Sequence, residues 1–202
     1  MDTEKVAVMD EKKKVRTSKF MSWLLRHGLN ERSIKYDEEG FILLSDLTKQ
    51  PEMKDVTFED IQYVVSENDK KRFTLKEVDG IYYIRANQGH SKDVGSNIDD
   101  DASLTRMTEA LPICVHGTNK KAWKVIETAG LSSMGRKHVH LATGLAHDDY
   151  VISGMRKSSS VIIFIDMQKA MDRGKRFFIS SNGVVLTPDH LEPDLFSKVS
   201  FS

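Results

Sequence analysis

The chain has 202 residues, and its 30 lysines and arginines are balanced by 30 aspartates and glutamates. A formally neutral chain has no global basic field that would indicate nucleic acid, so any site for a polyanion must be local. No apolar run approaches the ~18 residues that span a bilayer, and the polar start from Met1 to Lys5 is unlike a signal peptide. The single cysteine, Cys114, excludes an internal disulfide and is typical of a reducing compartment, so we expect an intracellular protein.

The first helix is predicted after a charged start. Residues 1–15 are polar and aperiodic, and we expect them to form a flexible lead-in. Thr17 or Ser18 can cap a helix that runs to His27, and Gly28 follows as the residue that ends it. Its apolar residues recur at the spacing of one helix face and predict a buried stripe of Phe20, Met21, Leu24 and Leu25.

A hairpin closes the first half of the chain. A short strand at 41–43 is followed by a helix whose capping box is Thr57 and Asp60. Two further strands meet at Asp79-Gly80, a dipeptide typical of tight β-hairpins. Helices followed by a β-hairpin predict a winged-helix, RNA-binding lobe over residues 16–88.

The second half of the chain is richer in strands. Residues 89–105 contain many Ser, Asp, Asn and Gly residues without periodicity and are predicted to be a linker. The lobe expected over 106–202 has one clear helix, which Gly130 ends. The apolar run 161–165 predicts a fully buried strand. Together these patterns predict an α+β protein, with further strands at 112–116, 135–141, 177–179 and 184–186.

The strand predicted at 135–141 carries unusual polar residues. Apolar and polar residues alternate there with period two, which is typical of a half-buried strand. In this register Arg136, His138 and His140 share one face, and Lys137 points away from it. A guanidinium and two imidazoles side by side suit a cleft that holds an anion. From this stretch alone, a solvated face with two incidental histidines is the alternative.

Several kinds of site are not indicated by the sequence. His116, His138, His140 and His147 do not match the usual spacing of zinc ligands, and with one cysteine and no H-E-x-x-H motif no metal is expected. Walker, G-x-G-x-x-G and G-x-S-x-G motifs are absent from the sequence. The remaining candidates are cations and imidazoles from both lobes, which predict a cleft between an RNA-binding module and a second ligand-binding module: Arg26, His27, Arg72, Arg136, His116 and His140.

Seven runs of the chain resemble the signature motifs of the NAD-dependent tRNA 2′-phosphotransferases. They occur in order and at compact spacing between Thr17 and Leu195, and seven matches in register are specific. The runs are SKFMSWLLRHG at 18–28, KRF at 71–73, IRANQGHS at 84–91, VHGT at 115–118, GRKHVHL at 135–141, SGMR at 153–156 and FFISSNGV at 177–184.

The resemblance implies an enzyme that removes the 2′-phosphate left at a tRNA splice junction, with NAD⁺ as co-substrate. The phosphate would attack C1″ of NAD⁺ and expel nicotinamide, and the ribose 2″-hydroxyl would then attack phosphorus. The products would be 2′-hydroxyl RNA and ADP-ribose 1″,2″-cyclic phosphate. It also implies an ADP-ribosyltransferase-like, NAD-binding second lobe in a monomeric chain with 2′-phosphorylated tRNA as partner.

Matching positions then suggest residue roles. The implied catalytic residues, which grip the phosphate, are Arg26, His27, Arg72 and Arg136. The implied NAD⁺ pocket is lined by His116, Gly117, Thr118, His138, His140, Leu141 and Asn182. Many ADP-ribosyltransferases carry a glutamate on a late strand, whereas residues 182–185 contain no acid. That difference fits an acceptor that is already ionised.

Two other functions are compatible with the same residues. An enzyme of this fold could ADP-ribosylate a terminal phosphate of RNA or DNA, because the arginines would grip any such phosphate. A non-catalytic nucleic-acid-binding module is the alternative from a different class. Loss of one of the four catalytic residues would have favoured that alternative, and all four are present. Met21, where the family usually has leucine, is a tolerable core exchange.

Overall fold

The computed structural model describes residues 9–144 and 158–201. These residues form a mixed helix and sheet structure. The helices are α1 (Glu11–Trp23), α2 (Leu44–Thr48), α3 (Phe58–Ser66), α4 (Lys92–Gly95), α5 (Asp100–Ser103), α6 (Lys120–Ala129) and α7 (Met167–Asp172). The strands are β1 (Ile42–Leu43), β2 (Phe73–Val78), β3 (Ile81–Ala86), β4 (Thr105–Arg106), β5 (Val115–Thr118), β6 (Val139–Leu141), β7 (Val161–Ile165), β8 (Phe178–Ile179), β9 (Val185–Thr187) and β10 (Phe196–Phe201). Within the described residues, no helix combines the length and the hydrophobicity needed to cross a bilayer.

Helix α1 begins earlier than the sequence pattern predicts. Its N-cap is Asp10, whose carboxylate accepts a hydrogen bond from the Lys13 backbone N–H, so the cap predicted at Thr17 or Ser18 is wrong. Residues 11–15 are therefore helical, and the buried side chain of Met9 anchors the start of the helix in the core. The Lys13 ammonium also pairs with Asp60 of α3, which ties the charged start to the fold.

The first half of the chain packs around one hydrophobic core. Strands β1, β3 and β2 form an antiparallel sheet in that order, and Asp79 and Gly80 both adopt positive φ at the β2–β3 hairpin, as predicted. Helix α3 packs against β2 of this sheet, and α1 packs against α3. The predicted stripe is confirmed, although its last two residues lie on the turn after α1. Met21, Leu24 and Leu25 are in the core, and the partly buried Phe20 packs against it.

The second half builds two further sheets around a second core. Strands β10, β7 and β5 form one, and β4, β8, β9 and β6 form the other. A bridge between Val115 and Ala142 joins the two sheets. Strand β7 is central, but only alternate residues of it are buried, because Ile162 and Phe164 lie on the sheet face opposite the main core. The prediction of a strand buried on both faces is wrong there.

The strand predicted over 135–141 is shorter than expected. Only Val139–Leu141 pairs with β9, whereas Arg136 bridges Ser91 and the Lys137 N–H donates to the His90 carbonyl. Because residues 136–138 follow a different partner, the period-two alternation does not extend through them. Lys137 and His138 both reach the carboxylate of Asp100, so the shared face predicted for Arg136, His138 and His140 is wrong.

The segment predicted as a linker contributes to the packing. Residues 89–105 contain α4 and α5, and the side chains of Val94 and Ile98 belong to the first core. This burial places the segment against the π-helical turn Leu24–Gly28 that follows α1. The structure therefore brings two segments from distant parts of the sequence to the same place.

The capping box of α3 is confirmed, and we expect it to contribute measurably to stability. Thr57 Oγ1 accepts from the Asp60 N–H at 3.2 Å, and the Asp60 carboxylate accepts from the Thr57 N–H at 2.9 Å. Thr57→Ala should lower the free energy of unfolding by about 1 kcal/mol in urea denaturation, because the N–H group of Asp60 loses its acceptor. Thr128→Ala, at an exposed position inside α6, is the matched control and should cost almost nothing. Equal losses in both variants would contradict a capping role.

Candidate active site

Arg26 and His27 project from a widened helical turn. Residues Leu24–Gly28 form a π-helical turn directly after α1, with Leu24 and Leu25 fully buried beneath it. Such turns are rare and are often found at functional sites. Gly28 is predicted to follow the helix as its C′ residue, whereas in the structure it is the last residue of the π-helical turn and its φ is not positive. It is needed because a Cβ at this position would lie 2.8 Å from the Trp23 ring.

Positive charges of neighbouring predicted catalytic residues lower the pKa values of both Arg26 and His27. Burial, followed by the positive charges of Arg72 and Arg136, lowers the pKa of Arg26 to about 10. The pKa of His27 is also lowered, by partial burial and then by Arg136 and Arg26. The structure thus brings together residues that are separated by up to 110 positions in the sequence. Within the described residues, no carboxylate forms an ion pair with any of the three arginines.

A short strip of backbone joins the segments of Arg26 and Arg136. The Ser91 N–H donates to the Arg26 carbonyl at 2.9 Å, and Ser91 also bridges Arg136. Gly89, at φ +91°, lies so close to Arg26 that a Cβ there would be 3.2 Å from Nε. The strip therefore sets the spacing between the two arginine segments, and it needs a glycine to do so.

The histidines predicted to line the NAD⁺ pocket form a hydrogen-bonded series. His116 Nδ1 lies 2.9 Å from the His140 carbonyl oxygen, and His140 Nδ1 lies 3.1 Å from that of His138. His140 Nε2 faces the side-chain amide of Gln88 at 2.9 Å. Burial lowers the pKa of His116, and burial together with the charge of Arg136 lowers that of His140 to about 3. Both rings are therefore neutral near pH 7 and can present hydrogen-bonding atoms without adding charge.

Other predicted pocket residues have different surroundings. His138 is buried, and its Nε2 lies 3.0 Å from the Asp100 carboxylate. Leu141 is fully buried in the second core. Asn182 is also buried, and its carboxamide bonds the Ser180 hydroxyl and the Lys70 carbonyl. Gly117 and Thr118 lie on β5, where they pair with β7.

Cys114 is a buried core residue of the second half of the chain. Burial raises the pKa of the Cys114 thiol to about 12, so it is an inert core residue. In the described ranges, no three His, Cys, Asp or Glu residues are grouped as a metal-binding set. The SGMR run at 153–156 and His147 lie outside the described residues.

The sequence analysis included residues 84–91 among the signature runs but assigned no role in the site to any residue of the 87–91 strip. Gln88 and His90 are both buried beside the cluster, and the pKa of His90 is lowered to about 3 by burial and then by the charge of Arg26. His90 Nε2 has no hydrogen-bond partner among the described residues. The available signal was the polar run Asn87 to Ser91 directly after a strand, which is unusual for residues that become buried.

The fold and the site together define a mixed helix and sheet protein with a partly buried cationic cluster suited to a phosphate-like anion. The chain belongs to the RNA 2′-phosphotransferase, Tpt1 / KptA family, whose model matches residues 12–189. It is 40% identical over 201 residues to tRNA 2′-phosphotransferase 1 of Danio rerio, covering 94% of this chain and 86% of that protein. It is 38% identical over 197 residues to tRNA 2′-phosphotransferase of Saccharomyces cerevisiae, covering 94% and 84% respectively. A Schizosaccharomyces pombe relative is 45% identical over 177 residues, which are 86% of this chain and 47% of that relative, so the chain spans about half its length.

The two most buried histidines of the site should remain neutral in acid. In the folded protein His90 and His140 have pKa values of about 3, below the unfolded value of ~6.5. Their imidazole NMR signals should stay at neutral-form shifts from pH 8 down to pH 5, and a midpoint near 6.5 for either ring would contradict this. Below pH ~6.5 both histidines become protonated in the unfolded state but not in the folded state. The free energy of unfolding should therefore be highest above this pH and should fall as the pH drops, by about 2 kcal/mol per histidine at pH 5.

Proposed function

We propose that this protein transfers the 2′-phosphate of ligated tRNA to NAD⁺, leaving a 2′-hydroxyl on the RNA. The observation that carries this proposal is the convergence of Arg26, Arg72 and Arg136, which have no carboxylate partner in the part of the chain that the structure describes. Like charges held together at a partly buried place repel one another, and a bound dianionic phosphate removes that cost. Membership of the family supports the same substrate.

The first step needs orientation more than proton transfer. A phosphate monoester is an anion near neutral pH, so as a nucleophile it requires no general base. The arginines would desolvate it and aim one oxygen at C1″ of NAD⁺. A C–O bond forms as the glycosidic C–N bond breaks, and nicotinamide leaves with the bonding electron pair.

The second step returns the RNA. The ribose 2″-hydroxyl loses its proton to solvent as its oxygen attacks the same phosphorus, and the bond from phosphorus to the RNA 2′-oxygen breaks. Negative charge then builds on the phosphoryl oxygens, which two or three guanidinium groups can stabilise. The departing oxygen takes up a proton, and we assign its delivery to His27, which is exposed beside the cluster.

We propose that NAD⁺ lies along β5 and β6. The supporting residues are the neutral rings of His116 and His140 and the backbone of Gly117 and Thr118 on β5. His138 and Leu141, which the sequence analysis assigned to the same pocket, are buried and would support its wall without contacting NAD⁺. Because the His116 and His140 imidazoles are uncharged, the arginines are the main protein charges that would face the phosphate. In this proposal residues 16–88 form a winged-helix, RNA-binding lobe. Residues 106–202 form an ADP-ribosyltransferase-like lobe, and the protein works inside the cell as a monomer.

An oligonucleotide with one internal 2′-phosphate tests the proposal directly. With NAD⁺ the protein should release that phosphate as ADP-ribose 1″,2″-cyclic phosphate, and an excess of EDTA should not prevent it.

Arg136→Ala should slow turnover by about 10- to 150-fold, because a lost charge-assisted contact costs about 1.5–3 kcal/mol. Arg173→Ala, which removes an exposed ion pair with Asp194, is the matched control and should leave the rate unchanged. A normal rate for Arg136→Ala would refute its role, and a terminal-phosphate adduct without cyclic product would favour the capping alternative.

The role of His27 can be separated from that of the arginines. A general acid must be protonated, so the rate of the second step should fall as the pH rises through the pKa of His27. In His27→Ala the step should be slower, by roughly 10²–10⁴-fold, and this pH dependence should vanish. Single-turnover decay of the ADP-ribosylated RNA across pH 5 to 8 measures both effects. An unchanged profile in His27→Ala would assign the proton to water.

A further inference from the structure

Three asparagine side chains hold the turn that carries Arg72. We call Asn68, Asn87 and Asn182 the asparagine clasp. Asn182 Nδ2 donates to the Lys70 carbonyl at 2.9 Å, and Asn87 Nδ2 donates to the next carbonyl, that of Lys71, at 2.7 Å. Asn68 Oδ1 accepts from the Lys70 N–H at 3.2 Å and from Arg72 Nη1 at 3.1 Å.

The clasp is more than ordinary loop packing, because its members are buried and come from distant parts of the chain. All three asparagines are at most 8% exposed. Asn87 follows β3, and its N–H also donates to the Arg72 carbonyl. Asn182 lies in the β8–β9 turn, 112 positions from Lys70, and its own carboxamide is fixed by the Ser180 hydroxyl at 2.6 Å.

The turn needs this support because its backbone is strained. Lys71 has a φ of +42°, in the left-handed region that residues other than glycine rarely adopt. The two carbonyls that the clasp holds are those of Lys70 and Lys71, on either side of this residue. Releasing either carbonyl would let Lys71 relax to a negative φ, and Arg72, the next residue, would change direction.

We propose that the asparagine clasp is a positioning device that directs the Arg72 guanidinium at the anion shared with Arg26 and Arg136. Asn182 then acts through Arg72 and does not contact NAD⁺. Both polar atoms of its carboxamide are bonded within the protein, and the side chain is 2% exposed. The hydrogen bond from Asn182 to the Lys70 carbonyl fixes the position of the Arg72 segment relative to the β8–β9 turn. The proposal rests on the function proposed above for the identity of the anion.

Binding provides a test that does not depend on catalysis. The probes are two fluorescent oligonucleotides that differ only in an internal 2′-phosphate or 2′-hydroxyl, and the readout is the ratio of their dissociation constants. Asn182→Ala and Asn87→Ala should each reduce this preference roughly tenfold. In an Arg72→Ala background neither should reduce it further, because both act through the missing guanidinium. Asn97→Ala, which removes an exposed hydrogen bond to Tyr36, is the matched control and should leave the ratio unchanged.

Kinetics separate positioning from a direct contact with NAD⁺. In Asn182→Ala kcat should fall roughly 10- to 100-fold while KM for NAD⁺ stays at the wild-type value. A raised KM for NAD⁺, or losses that add to that of Arg72→Ala, would overturn the proposal. If a thermal melt shows that Asn182→Ala does not fold, the same comparison with and without Arg72→Ala can be made with Asn182→Ser and Asn87→Ala.

The wild-type protein distinguishes failure of the clasp from failure of the proposed function. If the wild type binds the 2′-phosphorylated oligonucleotide more tightly but does not remove its phosphate with NAD⁺, the proposed function is refuted. The comparison of dissociation constants among the variants would then still show whether the clasp acts through Arg72. No preference for the 2′-phosphate in the wild type would overturn the clasp, since Arg72 would then have no phosphate to meet.

Discussion

Repulsion between like charges is the constraint around which this protein is built. Arg26 is partly buried next to Arg72 and Arg136, and the lowered pKa of Arg26, about 10, measures how unfavourable its charge is there. In most proteins such guanidinium groups are paired with carboxylates, because an unpaired buried charge is strongly destabilising. Among the described residues these three arginines have no acidic partner, and in the function proposed above the place of that partner is taken by an anion that arrives from solution. Binding that anion should stabilise the folded state as well as begin the reaction.

The repulsion between the arginines is opposed by the uncharged segments that hold each of them in place. The first core lies beneath the π-helical turn and fixes Arg26, and the strip around Ser91 links that turn to Arg136. Arg72 depends instead on the turn that Asn182 and Asn87 hold from two sides. Each arginine is therefore supported by backbone from another part of the chain. This arrangement explains how groups that repel one another remain close, although no described carboxylate pairs with them.

The neutral histidines avoid adding positive charge next to the arginines. His140 and His90 lie beside the arginines, and either ring would add to the repulsion if it were protonated. Burial keeps both uncharged, so neither ring adds its positive charge to that of the guanidinium groups. The low pKa values are thus a consequence of where the rings lie, and the same burial gives the protein its expected loss of stability in acid.

Local patterns were enough to predict the elements whose sequence signals are short-range. The capping box at Thr57, the Asp79-Gly80 hairpin and the glycine that ends α6 depend on interactions within a few residues, and the structure has all three. The motif runs also named the residues that meet at the site, because the chemistry of a phosphate demands arginines. The sequence by itself therefore determined the family, the residue types of the site and most element positions. Only the tertiary structure decided where α1 begins, that residues 136–138 leave the strand register to reach Ser91 and Asp100, and that Asn182 holds the Lys70 carbonyl. These features depend on contacts between residues far apart in the chain, which no local periodicity encodes.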